Sequence, residues 1–287
     1  NKTCKLKGTN KKIFFENSIT VYLAMEKYNR VSTLLADASR CKISKKVIQK
    51  TRMKLVKDLS VTSKFTLLEK EATHLIKNKK LWPNLIYPFF RLANYYKGRN
   101  IKKSKAFIVD IKKFYFYSLK KKKDIPLEAL NAYAKLELMK LVFEIKKLDS
   151  IKLKFPEKTY NATLQKMFKQ LDKVTVAASR VFNIGAGEAI VESYKLLVHS
   201  YKSFAAKIIS FIPPKKSAEY LTSFKKGMKD LVAPISKKSI ELKKEAWGHI
   251  TKNEILSQHN HLFNDSSLNV EYITRKRGIL MDRGGWK

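Results

Sequence analysis

Few groups in this chain have the type and spacing needed for chemistry, and each has an ordinary structural use. Gly185-Ala186-Gly187-Glu188 stands before a helical stretch, where a glycine loop can cradle a phosphate. A true phosphate loop follows a strand and carries Lys and a hydroxyl residue at fixed spacing. Here a helix precedes the glycines and the Lys-Ser/Thr pair is missing, so Gly185 and Gly187 read as a left-handed turn between two helices. His259 and His261 are the one close histidine pair, with Asp265 nearby. Helical metal sites use an i, i+4 pair; the i, i+2 spacing points the rings two ways, so no metal site is expected. His74 and His199 fall in separate helical stretches with no Cys or paired carboxylate beside them. With no nucleophile motif either, no catalytic, cofactor-binding or metal-binding residue is assigned, and the chain is not expected to be an enzyme.

Cys4 and Cys41 are the only cysteines and do not form a metal motif. In an oxidising compartment they can form one disulfide, which would tie down the N-terminus. The run from Lys112 to Lys123 interleaves Phe114, Tyr115, Phe116 and Tyr117 with lysines. That composition could stack bases and hold phosphates of single-stranded nucleic acid. On a helix, Phe114 and Tyr117 instead share a buried face, and the lysine run falls at the C-terminal end, where cations meet the helix dipole favourably.

The formal net charge is +37, a field that attracts nucleic acid, anionic lipid head groups and acidic envelope polymers. Only nine of the 61 basic residues are Arg, the residue whose bidentate fork reads phosphate and guanine. Lysines spread along the whole chain, in doublets such as Lys102-Lys103, Lys146-Lys147 and Lys237-Lys238, read as a solvated helical surface. Nucleic acid is therefore the second choice of partner, behind protein.

The elements that must position these residues are helices. Hydrophobic residues make up 44% of the chain, enough for a folded core, while 9 Gly and 7 Pro are too few for a protein of many short strands. Ile190, Tyr194, Leu197, Tyr201, Phe204, Ile208 and Phe211 step by three or four and predict a helix from Glu188 to Ile212, stopped by Pro213-Pro214. Leu130, Ala134, Leu138, Leu141 and Ile145 predict another after Pro126, and a third runs from Thr159 to Phe182. Further helices are expected over 17–39, 43–59, 63–79, 84–97, 102–120, 216–231 and 235–258. Tyr201, Phe204 and Ala205 are expected to pack on the preceding helix near Ala177 and Ala178, whose small side chains allow close approach. Phe90–Asn100 followed by Lys105-Ala106-Phe107 has the pattern of a tetratricopeptide hairpin, a small residue at the helix contact and a Tyr filling the gap.

The organisation expected is an N-terminal extension over 1–16, an all-α solenoid of stacked helical hairpins over 17–263 with a subdivision near 150, and a non-helical tail over 264–287, in which Val270–Gly278 reads either as a short strand or as plain tail. No apolar run approaches the roughly 18 residues of a membrane span. The chain begins at Asn1 and not at Met, so an upstream segment is expected to have been cleaved or left out.

Residues 145–250 carry a set of packing motifs in order: Gly185-Ala186-Gly187-Glu188, then Tyr201-Lys202-Ser203-Phe204-Ala205, then Ile212-Pro213-Pro214, followed by Tyr220, Pro234 and Trp247. In these the segment resembles the tetratricopeptide-like helical proteins of the adventurous gliding machinery of myxobacteria and predatory relatives. The resemblance implies a non-catalytic scaffold of a motility or surface-adhesion complex, in the periplasm or on the inner face of the outer membrane, with other envelope proteins as partners. Cytoplasm is the alternative location. Cys4 does not fit a lipidation site, since Asn1 and Thr3 match neither flanking position.

Overall fold

The computed structural model describes residues 8–38 and 40–264. Helices, counting two 3-10 turns, take 79% of them, and no strand occurs among them. Ten α-helices follow in order: α1 (Gly8–Ala24), α2 (Tyr28–Ala38), α3 (Lys45–Ser60), α4 (Phe65–Thr73), α5 (Trp82–Tyr96), α6 (Ile101–Lys120), α7 (Leu127–Ser150), α8 (Glu157–Phe182), α9 (Gly187–Ile209) and α10 (Ala218–Lys252). The 3-10 turns are Lys79–Leu81 and Asn260–Leu262. The Val270–Gly278 segment, read as a short strand or tail, the rest of the tail from Asp265, and Cys4 lie outside the described residues.

Several predicted helix bounds are corrected. The helix expected over 17–39 is two helices, and α1 begins at Gly8, inside the stretch expected to be an extension. The break falls at Glu26, which takes a left-handed φ of 52°. The Lys27 amide bonds the Tyr22 carbonyl and the Glu26 amide the Leu23 carbonyl, at 2.8 and 2.9 Å. This paired pattern satisfies the last carbonyls of a helix and ends it. The helix expected over 63–79 stops at Thr73, because its next turns close through i→i−3 bonds such as Leu75 to Ala72. The two helices expected over 216–231 and 235–258 are one, α10. Pro234 sits inside it and is exposed, so the Asp230 carbonyl that loses its amide partner faces water.

The chain divides into two compact units, residues 1–133 and 134–287, and the division falls inside α7. In the first unit Val31, Leu35, Leu55, Leu59, Leu85 and Phe89 are almost fully buried. Glu71, 1% exposed, lies among them with Ser32 Oγ donating to it at 2.6 Å and Arg52 Nε at 2.9 Å, tying α2, α3 and α4 together. In the same unit α5 packs on α6. Ser104 Oγ donates to the carbonyl of buried Ala93 at 2.8 Å, and Phe107 meets Phe89 edge-on at 5.3 Å. In the second unit one face of α8 (Leu171, Val174, Ala178, Val181) packs with α9 (Val191, Leu197, Phe204, Ile208) and α10 (Leu242, Ala246, Ile250).

Candidate protein-binding groove

The residues singled out from the sequence serve the fold. Gly185 has φ 78°, the left-handed turn after α8, and nothing crowds it. Gly187 opens α9, and a Cβ there would meet Ile255 Cγ2 at 3.2 Å, so its lack of a side chain lets the two segments approach. Pro213 is buried and Pro214 exposed just beyond the end of α9, which stops at Ile209 and not Ile212. Phe204 and Ala205 are buried. Phe204 lies edge-on to Phe168 of α8 at 4.9 Å, and the hydroxyls of Tyr201 and Thr175 are 3.0 Å apart. Cys41 is buried and disulfide-bonded. His259 faces Lys195 Nζ at 3.4 Å, and no group of three or more potential metal ligands occurs among the described residues.

The Lys112–Lys123 segment turns its rings inward. Phe114 is fully buried between Trp82 and Phe89, at 5.0 and 5.1 Å, and Tyr115 stacks on Tyr133 at 3.7 Å. Lys79 and Lys113 stand over the Trp82 ring and Lys123 over Tyr117, at 5.9, 5.3 and 4.9 Å. The lysines thus cap a buried aromatic stack, each such contact contributing about 0.5–1 kcal/mol at an exposed site. Only Phe116, 58% exposed, keeps a ring largely open to a base.

An open surface of different chemistry lies between α7 and α8. Leu138, Leu141 and Leu148 bury one face of α7. Successive residues of a helix are turned by about 100°, so in the run Leu141-Val142-Phe143 all three side chains cannot point into one core. Phe143 is accordingly 58% exposed, with Met139 and Val142 exposed beside it. Val176 of α8 is 52% exposed for the same reason, between buried Val174 and Ala178.

Phe143 and Val176 floor a groove of about 420 Å³, lined on α7 also by Lys140, Glu144 and Lys147 and on α8 by Asp172, Lys173, Ala177 and Arg180. Steps of three and four along both helices place each set on one face. Gln170 Nε2 donates to the Glu144 carbonyl at 3.0 Å and to its carboxylate at 2.8 Å. Lys147 donates to Glu144 at 2.9 Å and lies 4.2 Å above the Phe143 ring. Those hydrogen bonds from Lys147 and Gln170, with the charges of Lys147 and Lys173, hold the Glu144 carboxyl below the usual range and keep it ionised. Lys140 bonds Glu137, whereas Lys173 and Arg180 form no ion pair within 4 Å of a described carboxylate. The rim carries four cations against two carboxylates. Periodicity assigns these positions to a solvated face; the Leu141-Val142-Phe143 run is the signal that could have revealed them.

Comparison with protein-family models, with curated proteins and with solved structures finds no match to this chain. No described helix is long and apolar enough to cross a membrane.

Proposed function

We propose that this chain is a non-catalytic scaffold that binds other proteins in a cell-envelope complex for gliding motility or surface adhesion. The protein-binding part rests on the second apolar face of α7, which stays exposed among the described residues. A helix apolar on more than one face is normally buried on each of them, and a contiguous exposed apolar patch rimmed by polar groups marks an interaction surface. Helical hairpins stacked in each unit, in the manner of an α-solenoid, would present such faces side by side. The envelope part rests on the resemblance of residues 145–250, and it places the protein in the periplasm or at the inner face of the outer membrane. The disulfide bond of Cys41 fits that oxidising location. Acidic envelope polymers are secondary ligands of the lysine field.

Affinity capture from envelope fractions at moderate salt, after nuclease treatment, tests this reading. A small set of discrete proteins is the expected yield, and deletion of the gene should impair surface motility or adhesion. Nucleic acid of defined sequence or structure, held through the same wash, would replace the scaffold by a lysine-rich nucleic-acid-binding protein.

A further inference from the structure

We infer that the groove between α7 and α8 receives an acidic amphipathic helix of a partner protein, an inference that rests on the protein-binding reading above. Recognition by strand addition needs a row of unpaired backbone donors and acceptors. Both walls here are helix interiors with their backbone bonds satisfied internally, so only side chains can read the occupant. The lining runs from Lys140 to Lys147 on α7 and from Asp172 to Arg180 on α8, about 10–12 Å or two turns, which suits a short helix laid along it. Phe143 and Val176 offer apolar contacts for residues at i and i+3 or i+4 of such a helix.

Charge selects the occupant. Glu144 is committed to Lys147 and Gln170, which leaves the Lys173 ammonium and the Arg180 guanidinium of the rim free of ion pairs with described carboxylates. Carboxylates flanking the apolar stripe of the incoming helix meet them, and Arg180 can take one bidentately. A second copy of this chain, at +37, would bring like charges to the rim. Nucleic acid gains little from the apolar floor, and one face of the Phe143 ring is already occupied by Lys147.

The test uses the full chain and a labelled helical peptide of about four turns with Leu at heptad spacing flanked by Glu. Its controls are the same residues scrambled and a version with Glu replaced by Lys. The acidic amphipathic peptide should bind, and both controls should bind at least about tenfold more weakly. Phe143→Ala with Val176→Glu should lower affinity by about tenfold or more, with the circular dichroism unchanged because both side chains are exposed. Lys173→Glu with Arg180→Glu should also weaken the acidic peptide and improve binding of the Lys version. Lys225→Glu with Lys237→Glu on α10 changes the net charge equally outside the groove and should leave the affinity within about twofold. Equal binding of the scrambled peptide, or an equal loss from the α10 reversal, would overturn the groove in favour of a nonspecific field. If the Phe143/Val176 variant captures the same envelope proteins as the wild type, the groove fails while the scaffold reading stands. If the wild type captures none, the scaffold reading fails.

Discussion

Glu71 is the one fully buried charged residue of the first unit among the described residues. Glu71 keeps its carboxylate in the core because Arg52 and Ser32 both donate to it. Arg52→Ala would leave that carboxylate buried with its cation gone, and should cost about 3–5 kcal/mol by urea denaturation. Lys238→Ala, which removes only an exposed 3.4 Å pair with Glu241, should change stability by less than about 1 kcal/mol. Glu69 is a contrasting case. Burial alone would raise its pKa, but hydrogen bonds from Lys103 and Tyr96 and the Lys103 charge outweigh it, and the carboxyl ends below the usual range. A depressed folded pKa contributes stability that is complete above the unfolded value, near about 4.3 for Glu, and is lost as pH falls through the folded value. Glu69→Gln should therefore be less stable than the wild type at neutral pH, and the gap in urea midpoint should close below about pH 4.

At the scale of the element, the helices from α7 to α9 were legible because their apolar residues recur at steps of three and four. The helix stops were less so, for a definite reason. α1, α6 and α10 end in the same paired pattern of amide bonds, with Glu26, Lys122 and Glu254 in the left-handed region at φ 52°, 47° and 51°. Lys42, at φ 57°, does the same after α2, where the Ile43 amide bonds the Ala38 carbonyl at 3.0 Å. Glycine marks such a position in a sequence; a charged residue does not. Gly185 is the one such stop among the described residues that the sequence announced. Lys122 is exposed, so Lys122→Gly should relieve the strain and raise stability by about 0.5–1 kcal/mol, read from the denaturation midpoint. Phe204 tests the packing of α9 on α8. Phe204→Ala should cost roughly 3–5 kcal/mol, and a loss under about 0.5 kcal/mol, typical of a surface position, would mean that its buried face is misassigned.

Over the whole molecule the dominant property is the charge of +37, and the question is whether it selects a partner or only attracts one. Composition announces the field, but the groove was not legible, because seeing it required knowing which helical faces remain uncovered. The period of Leu138, Leu141 and Ile145 leaves Phe143 off the core face, and only the packing shows that its ring stays 58% exposed. Basic residues carried by every described helix speed encounters with any anion, while the apolar floor between α7 and α8 distinguishes one protein segment from another. The most direct test is the salt dependence of affinity for a captured partner protein, set beside that for a duplex DNA of arbitrary sequence. Between about 50 and 200 mM salt, DNA held through six or more phosphates should lose about a thousandfold or more by counterion release. The protein partner, held by buried apolar contact, should lose less than about tenfold over the same range. A protein partner that weakens as steeply as DNA, or a specific nucleic acid that persists when the protein has dissociated, would contradict the account.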